Sequence, residues 1–207
     1  MQLNIKRIAV GPIRTNCYII NRTGSDKAII VDPGDEADKI KRELGFSSLT
    51  PVAILLTHGH FDHIGAVSEL RKYYGIKVYA YYEEKEILSS DMNLGRAFGM
   101  PMAENADIYV RDNEEIVIDD ITFKTIHTPG HTIGSCCYYV DKDKVLLSGD
   151  TLFSGSHGRT DFPTGSQSAI IRSIINRLLV LDDSVHVYPG HEEETTIGSE
   201  KSFYDIY

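Results

Sequence analysis

Short apolar runs separated by polar turns fill this chain. Residues 5–10 alternate weakly and end at Gly11-Pro12. Residues 17–20 form a second run, closed by the polar stretch 21–25, and residues 28–31 form a third that ends in Asp32-Pro33-Gly34. Three short strands with tight turns predict a sheet meander. Residues 36–44 change to helical spacing, with Ala37, Ile40 and Leu44 on one face. The run Val52-Ala53-Ile54-Leu55-Leu56, preceded by a proline, reads as a buried strand, and a helix over 63–74 follows. A strand over 77–82 comes next, then short helices over 83–88 and 93–98.

The second half repeats the theme. Strands over 108–110, 115–118 and 121–127 are separated by Asp/Asn turns, and 135–140 with 144–147 form a hairpin about Asp141-Lys142-Asp143. A glycine-rich loop runs over 154–165. Ser166 then reads as the N-cap of a helix through 179, with Ile170, Ile171, Ile174, Ile175 and Leu178 as its apolar face. The last strand covers 185–188. There is no linker, low-complexity segment or solenoid-period repeat, so 1–207 is read as one domain. Strand-rich halves with a few helices predict an α+β fold, sheet packed on sheet with helices outside.

Composition narrows the function classes. With 207 residues, 42% hydrophobic and 25% charged, the chain has the balance of a soluble globular protein. The formal net charge of -9 argues against DNA or RNA as partner, because phosphate binding wants a basic patch. Cys136 and Cys137 are adjacent and Cys17 is remote, which gives neither a disulfide framework nor a cysteine zinc site and fits a reduced compartment. The N-terminus has no signal-peptide pattern and the apolar runs are strand-sized. A cytoplasmic protein with no membrane partner is expected; no oligomeric state is read from the sequence.

The candidate chemistry begins where the run 52–56 ends, in Thr57-His58-Gly59-His60-Phe61-Asp62-His63. His58 and His60 are two apart, so in an extended segment both imidazoles point to one side and can share an ion. Asp62 and His63 follow as the chain turns into a helix, which directs them to a second ion beside the first. The plain alternative is a polar loop with Asp62 as helix N-cap. Three further strands end in residues of the same kind: 123–127 leads to His131 through Pro129-Gly130, 145–149 to Asp150, and 185–188 to His191 through Pro189-Gly190. Imidazoles and carboxylates without a thiolate suit zinc, iron or manganese. Seven donors are enough for two divalent ions if Asp150 bridges them. His127 and His186 alternate within strand runs and read as structural, whereas His157 is expected to line the mouth of the site. Asp32 is a candidate to accept the outer N–H of a metal-bound imidazole, with a turn-forming Asp-Pro-Gly as the equal alternative.

These residues resemble the metallo-β-lactamase superfamily: His58-Gly59-His60-Phe61-Asp62-His63 matches its H-x-H-x-D-H motif, and His131, Asp150 and His191 match its later motifs. The resemblance covers essentially the whole chain. It implies an αββα sandwich of two mixed sheets, with His58, His60 and His131 on one ion, Asp62, His63 and His191 on the other, and Asp150 bridging. Within the superfamily the chain is similar to the short, single-domain glyoxalase II-like hydrolases, through Thr15-Asn16-Cys17-Tyr18, Asp32-Pro33-Gly34, Gly149-Asp150-Thr151-Leu152-Phe153, Gly158-Arg159-Thr160-Asp161-Phe162 and Thr195-Thr196-Ile197-Gly198.

That likeness implies hydrolysis of a small-molecule thioester such as S-D-lactoylglutathione by a hydroxide between two ions, most readily zinc, with Asp62 orienting the nucleophile. Arg159 would meet a substrate carboxylate. The C-terminal helical domain of the longer glyoxalase II enzymes has no counterpart here, and Asp161 stands where they carry a glutathione-binding tyrosine. Asp150 stands where some true β-lactamases carry a cysteine, which counts against β-lactam hydrolysis. Two alternatives remain. One is a persulfide dioxygenase with a single iron on His58, His131 and Asp150, since that family shares Gly-Arg-Thr-Asp-Phe. The other is a lactonase or another small-ester hydrolase.

Overall fold

The computed structural model describes residues 2–100 and 102–204. Among the described residues twelve strands form two six-stranded sheets whose spatial order follows the chain. The first holds β1 (Leu3–Val10), β2 (Thr15–Arg22), β3 (Lys27–Val31), β4 (Thr50–Leu55), β5 (Lys77–Tyr81) and β6 (Ile108–Val110). The meander β1–β2–β3 is antiparallel, and β3 to β6 are parallel. The second holds β7 (Glu115–Ile118), β8 (Ile121–His127), β9 (Cys136–Val140), β10 (Val145–Gly149), β11 (His186–Pro189) and β12 (Thr195–Thr196). Here every neighbouring pair is antiparallel except β10 with β11.

The apolar runs are continuous rather than alternating because both faces of the strands are covered. On β3, Ile29 and Val31 point into the core between the sheets, while Ala28 and Ile30 face the outer helices. On β9, Tyr138 and Val140 point inward and Cys137 and Tyr139 outward. Side chains alternate along a strand, so each strand serves two cores. Helices α1 (Ala37–Phe46), α2 (Phe61–Ile64), α3 (Val67–Tyr74) and α4 (Lys85–Ser89) belong to the first half; Ile40, Leu44, Val67 and Leu70 cover the first sheet. Helices α5 (Gln167–Ser173) and α6 (Ile197–Tyr204) cover the second through Ile170 and Ile197. The result is the αββα sandwich expected from the sequence. No helix among the described residues is long and apolar enough to cross a membrane.

Several local expectations are revised. The helix over 63–74 is two pieces, because the chain must turn at Gly65-Ala66 to bring α2 against the sheet edge and lay α3 across its face. Ser166 caps α5 as read, accepting from Ala169 N, but the last turns over Ile174–Leu178 widen into a π-helix. In place of a helix over 93–98, a single 3-10 turn covers Asp91–Asn93, tied by Asn93 to the carbonyl of Met102. The strand β12 and helix α6 had no periodic signature, since β12 is two residues long and α6 is only weakly amphipathic.

Candidate metal centre

The seven proposed donors meet at one edge of the sandwich, outside the carboxyl ends of β3, β4, β10 and β11. Three overlapping sets of donor atoms lie within 4.8 Å of one another: His58, His60 and His131; His58, His63 and Asp150; and Asp62, His63 and His191. Asp150 sits between the histidines of both halves. Its Oδ1 is 3.4 Å from His63 Nε2, and its Oδ2 is 3.5 Å from His131 Nε2 and 3.6 Å from His191 Nε2. Asp62 Oδ2 is 3.3 Å from His63 Nε2 and 3.2 Å from His191 Nε2. Asp62 lies in the first turn of α2, and the N-cap position is His60's, so the N-cap alternative for Asp62 does not hold.

Protons on the Nδ1 atoms of His58, His63 and His131, assigned from their partners, face away from the cluster. His63 Nδ1 lies 3.0 Å from Asp32 Oδ2 and His131 Nδ1 lies 2.7 Å from the Arg159 carbonyl, both pure acceptors. Thr57 Oγ1 donates to Asp32 Oδ2, so at 3.1 Å it accepts from His58 Nδ1. The Nε2 atoms of His58, His63 and His131 are therefore turned inward, towards one another and two carboxylates. His58 Nε2, His63 Nε2 and Asp150 Oδ1 are buried with no hydrogen-bond partner among the described residues. Buried polar atoms left so are costly. Convergent imidazole nitrogens and carboxylate oxygens are what a divalent cation satisfies, and the donor set fits zinc, iron or manganese.

The electrostatics agree. Burial pushes His58 well below the usual imidazole range, His60 down to about 3, and His131 down as well, which keeps them neutral and able to ligate. At His63 burial is outweighed by Asp62, Asp150 and Asp32, which raise it well above its ordinary value. At Asp62 burial is outweighed by His63, so its carboxyl falls to about 2, and Asp150 is lowered further for the same reason. The pocket favours positive charge beside His63.

Supporting contacts hold this arrangement. Asp32, in left-handed backbone at φ 48°, also accepts the Thr57 N–H at 2.8 Å, joining the end of β3 to the histidine loop. A Cβ on Gly190 would lie 2.2 Å from Asp150 Oδ1, so only glycine lets the His191 loop approach. Three contributors escaped sequence reasoning. Thr15 Oγ1 donates to Asp62 Oδ2 at 2.7 Å, Asn16 Nδ2 donates to the carbonyls of Pro189 and Glu192 at 3.0 Å each, and Glu84 is fully buried against the histidine loop. Thr15 and Asn16 stood inside a stretch noted only for its resemblance, and Glu84 carried no signal in spacing or motif.

The cluster forms the floor of a cavity of about 730 Å³ walled by Ile13, Phe61, Leu94, Phe98, Phe153 and Phe162. Three arginines line it. Arg159 Nε and Nη2 grip Asp161 at 2.7 and 2.6 Å, with the guanidinium 3.9 Å from the Phe162 ring centre. Arg159 thus lines the cavity, and its fork is already filled by Asp161. Arg7 pairs with Glu193 at 2.9 Å, and the Arg14 guanidinium has no hydrogen bond or ion pair among the described residues. His157 does not line the cavity among the described residues: its ring bonds the Gly158 carbonyl and the Gln167 side chain instead. His127 stacks on Tyr81 with ring centres 4.3 Å apart, and His186 is exposed on β11.

Known proteins resemble this chain throughout. The family model for the metallo-beta-lactamase superfamily matches residues 10–191. Hydroxyacylglutathione hydrolase GloC of Haemophilus influenzae is 36% identical over 206 residues, 96% of this chain and 95% of that protein. Among solved structures, BLEG-1, a B3 metallo-beta-lactamase, superposes with a TM-score of 0.91 at 40% identity, covering 96% of this chain and 97% of that one. TTHA1623 in a di-iron-bound form gives 0.85 at 32% identity, covering 98% and 100%.

Proposed function

Because the chain belongs to the metallo-β-lactamase superfamily, we propose that it is a hydrolase of small thioesters, S-D-lactoylglutathione being the first substrate to test. The observation that carries the hydrolase reading is the set of inward-facing imidazole nitrogens and carboxylates at the floor of the cavity. Likeness to GloC over nearly the whole length of both chains supports the thioester.

His58, His60 and His131 would hold one ion, Asp62, His63 and His191 the other, and Asp150 would touch both. Two ions there would supply a water acidified towards neutrality, about pKa 7 for zinc, and a Lewis acid for the carbonyl oxygen. The chain's own part is positional. Asp62 keeps one oxygen on Thr15, which fixes its carboxylate plane and aims it as the acceptor that orients the attacking water. The aromatic wall places apolar surface beside the reacting carbonyl, which strengthens charge interactions there. A thiolate leaves without strong general acid help, and His58, His60 and His131 are kept neutral.

The test is thiol release from S-D-lactoylglutathione, with and without chelator, on protein whose metals have been counted. Rapid, chelator-sensitive release supports the reading, and its absence from a metal-loaded sample sinks it. Two parallel assays identify the competitors: oxygen uptake with glutathione persulfide for a dioxygenase, and nitrocefin cleavage for the activity that BLEG-1's name denotes.

A further inference from the structure

Glu84 lies in the 3-10 turn Tyr82–Glu84 after β5, within the first half of the chain, and its side chain is fully buried. Among the described residues no cation pairs with it, and its partners are donors from two separate loops. Its Oε2 accepts the Gly59 N–H at 2.6 Å, and Gly59 stands between His58 and His60. Its Oε1 accepts the hydroxyl of Thr132, the residue after His131, and the Gly134 N–H also donates to the carboxylate. The approach is built for it. A Cβ on Gly59 would lie 2.9 Å from Oε2, and one on Gly134 would lie 2.7 Å from Oε1. Both loops present glycine where the carboxylate enters.

We propose that Glu84 is the positioning residue of the first ion site, joining the His58/His60 loop of the first sheet to the His131 loop of the second. The ring nitrogens of His60 and His131 face each other at 2.8 Å across these loops, so their spacing depends on whatever fixes one loop against the other. Both carboxylate oxygens meet donors, and burial makes each of those bonds strong and its loss expensive. Glutamine keeps the volume but turns an amide NH₂ towards either Gly59 N–H or the Thr132 and Gly134 side, so Glu84→Gln should open one of the two joints. The inference rests on the metal reading of His58, His60 and His131.

The experiment measures the affinity of each of the two ions by chelator competition, together with the visible spectrum of the cobalt-substituted protein. Glu84→Gln is expected to weaken the ion on His58, His60 and His131 ten- to a hundredfold, the range for residues that support ligands from outside, and to change the cobalt spectrum; weakening of the other ion alone overturns the inference. The other ion should stay within about threefold of its parental affinity, since Asp32 and Thr15 are untouched. Thr132→Val, which removes one donor and little volume, should shift the same ion less. A purely structural role would lower thermal stability and weaken both ions alike. Folded Glu84→Gln protein with parental affinities, or with both ions weakened equally, overturns the inference. If that variant does not fold, Thr132→Val decides by the same criterion. A parent protein that takes up no ion overturns the metal reading as well, which separates the two failures.

Discussion

The first sheet delivers His58, His60, Asp62 and His63 from one loop after β4, whereas the second delivers His131, Asp150 and His191 from three loops that follow β8, β10 and β11. In the first case the backbone itself fixes the spacing: two histidines on an extended segment, then a carboxylate and a histidine on the first turn of α2. In the second, spacing is set by strand register. β10 and β11 run parallel with Gly149 opposite Pro189, and Gly190 N donates to the Gly149 carbonyl at 2.8 Å, so Asp150 and His191 emerge side by side. One half of the centre is thus assembled by local geometry and the other by tertiary packing. Contacts such as Asp32 to His63 and Glu84 to Thr132 tie each ligand group to its neighbours.

The comparison is tested most severely at Asp150, whose carboxylate lies 3.4 Å from His63 of the clustered group and 3.5 and 3.6 Å from His131 and His191 of the dispersed one. Asp150→Ala removes contacts to His63, His131 and His191 together, so both ions should be lost. Thiol release should fall about a thousandfold or more, equivalent to ~4 kcal/mol of transition-state stabilisation. Metal counting and kinetics on the same sample check it. Normal metal content with full activity would mean that Asp150 does not bridge.

On the clustered side, Asp32→Asn offers a narrower break. Asp32 accepts Thr57 N–H on one oxygen and both Thr57 Oγ1 and His63 Nδ1 on the other. An amide must set an NH₂ against one of these donors. Affinity for the ion on His63 should drop ten- to a hundredfold, with the ion on His58, His60 and His131 less affected. Equal loss of both ions would show that the loop after β4 responds as one rigid piece. Thr15→Val is milder still: the Thr15–Asp62 bond is partly buried and worth ~1 kcal/mol, so turnover should fall about fivefold with metal content unchanged.

The same contrast explains what could be read from the sequence. His58, His60, Asp62 and His63 stand out because their spacing is their geometry. His131, Asp150 and His191 were legible only as repeated strand ends, since nothing local says that three separate turns reach one point. The sheet-on-sheet class followed from the apolar runs of β2, β3, β9 and β10, which are buried on both faces. Glu84 was not legible, because its partners lie 25 and 48 residues away. The Arg159 reading missed that Asp161, two residues on, takes both faces of its fork.

That last point gives the finest prediction, which sets Arg14 of the first half against Arg159 of the second; Arg7, also on the first sheet, is paired with Glu193. Arg14 comes from the β1–β2 turn of the first sheet, held in left-handed backbone at φ 59°, and its guanidinium has no hydrogen bond or ion pair among the described residues. Arg159 comes from the loop after β10 and is occupied by Asp161 in a bidentate pair. An incoming carboxylate must displace Asp161 to use Arg159, whereas Arg14 feels Glu193 only at longer range and has no hydrogen bond or ion pair to break among the described residues. A single exposed charge pair is worth up to ~1 kcal/mol, so Arg14→Ala should raise KM for S-D-lactoylglutathione about fivefold and leave kcat within about twofold. Arg159→Ala should change KM by less than about twofold, and Asp161→Asn, which frees the fork, should lower KM. A larger KM effect at Arg159 than at Arg14 would reverse this assignment and return carboxylate recognition to the second sheet.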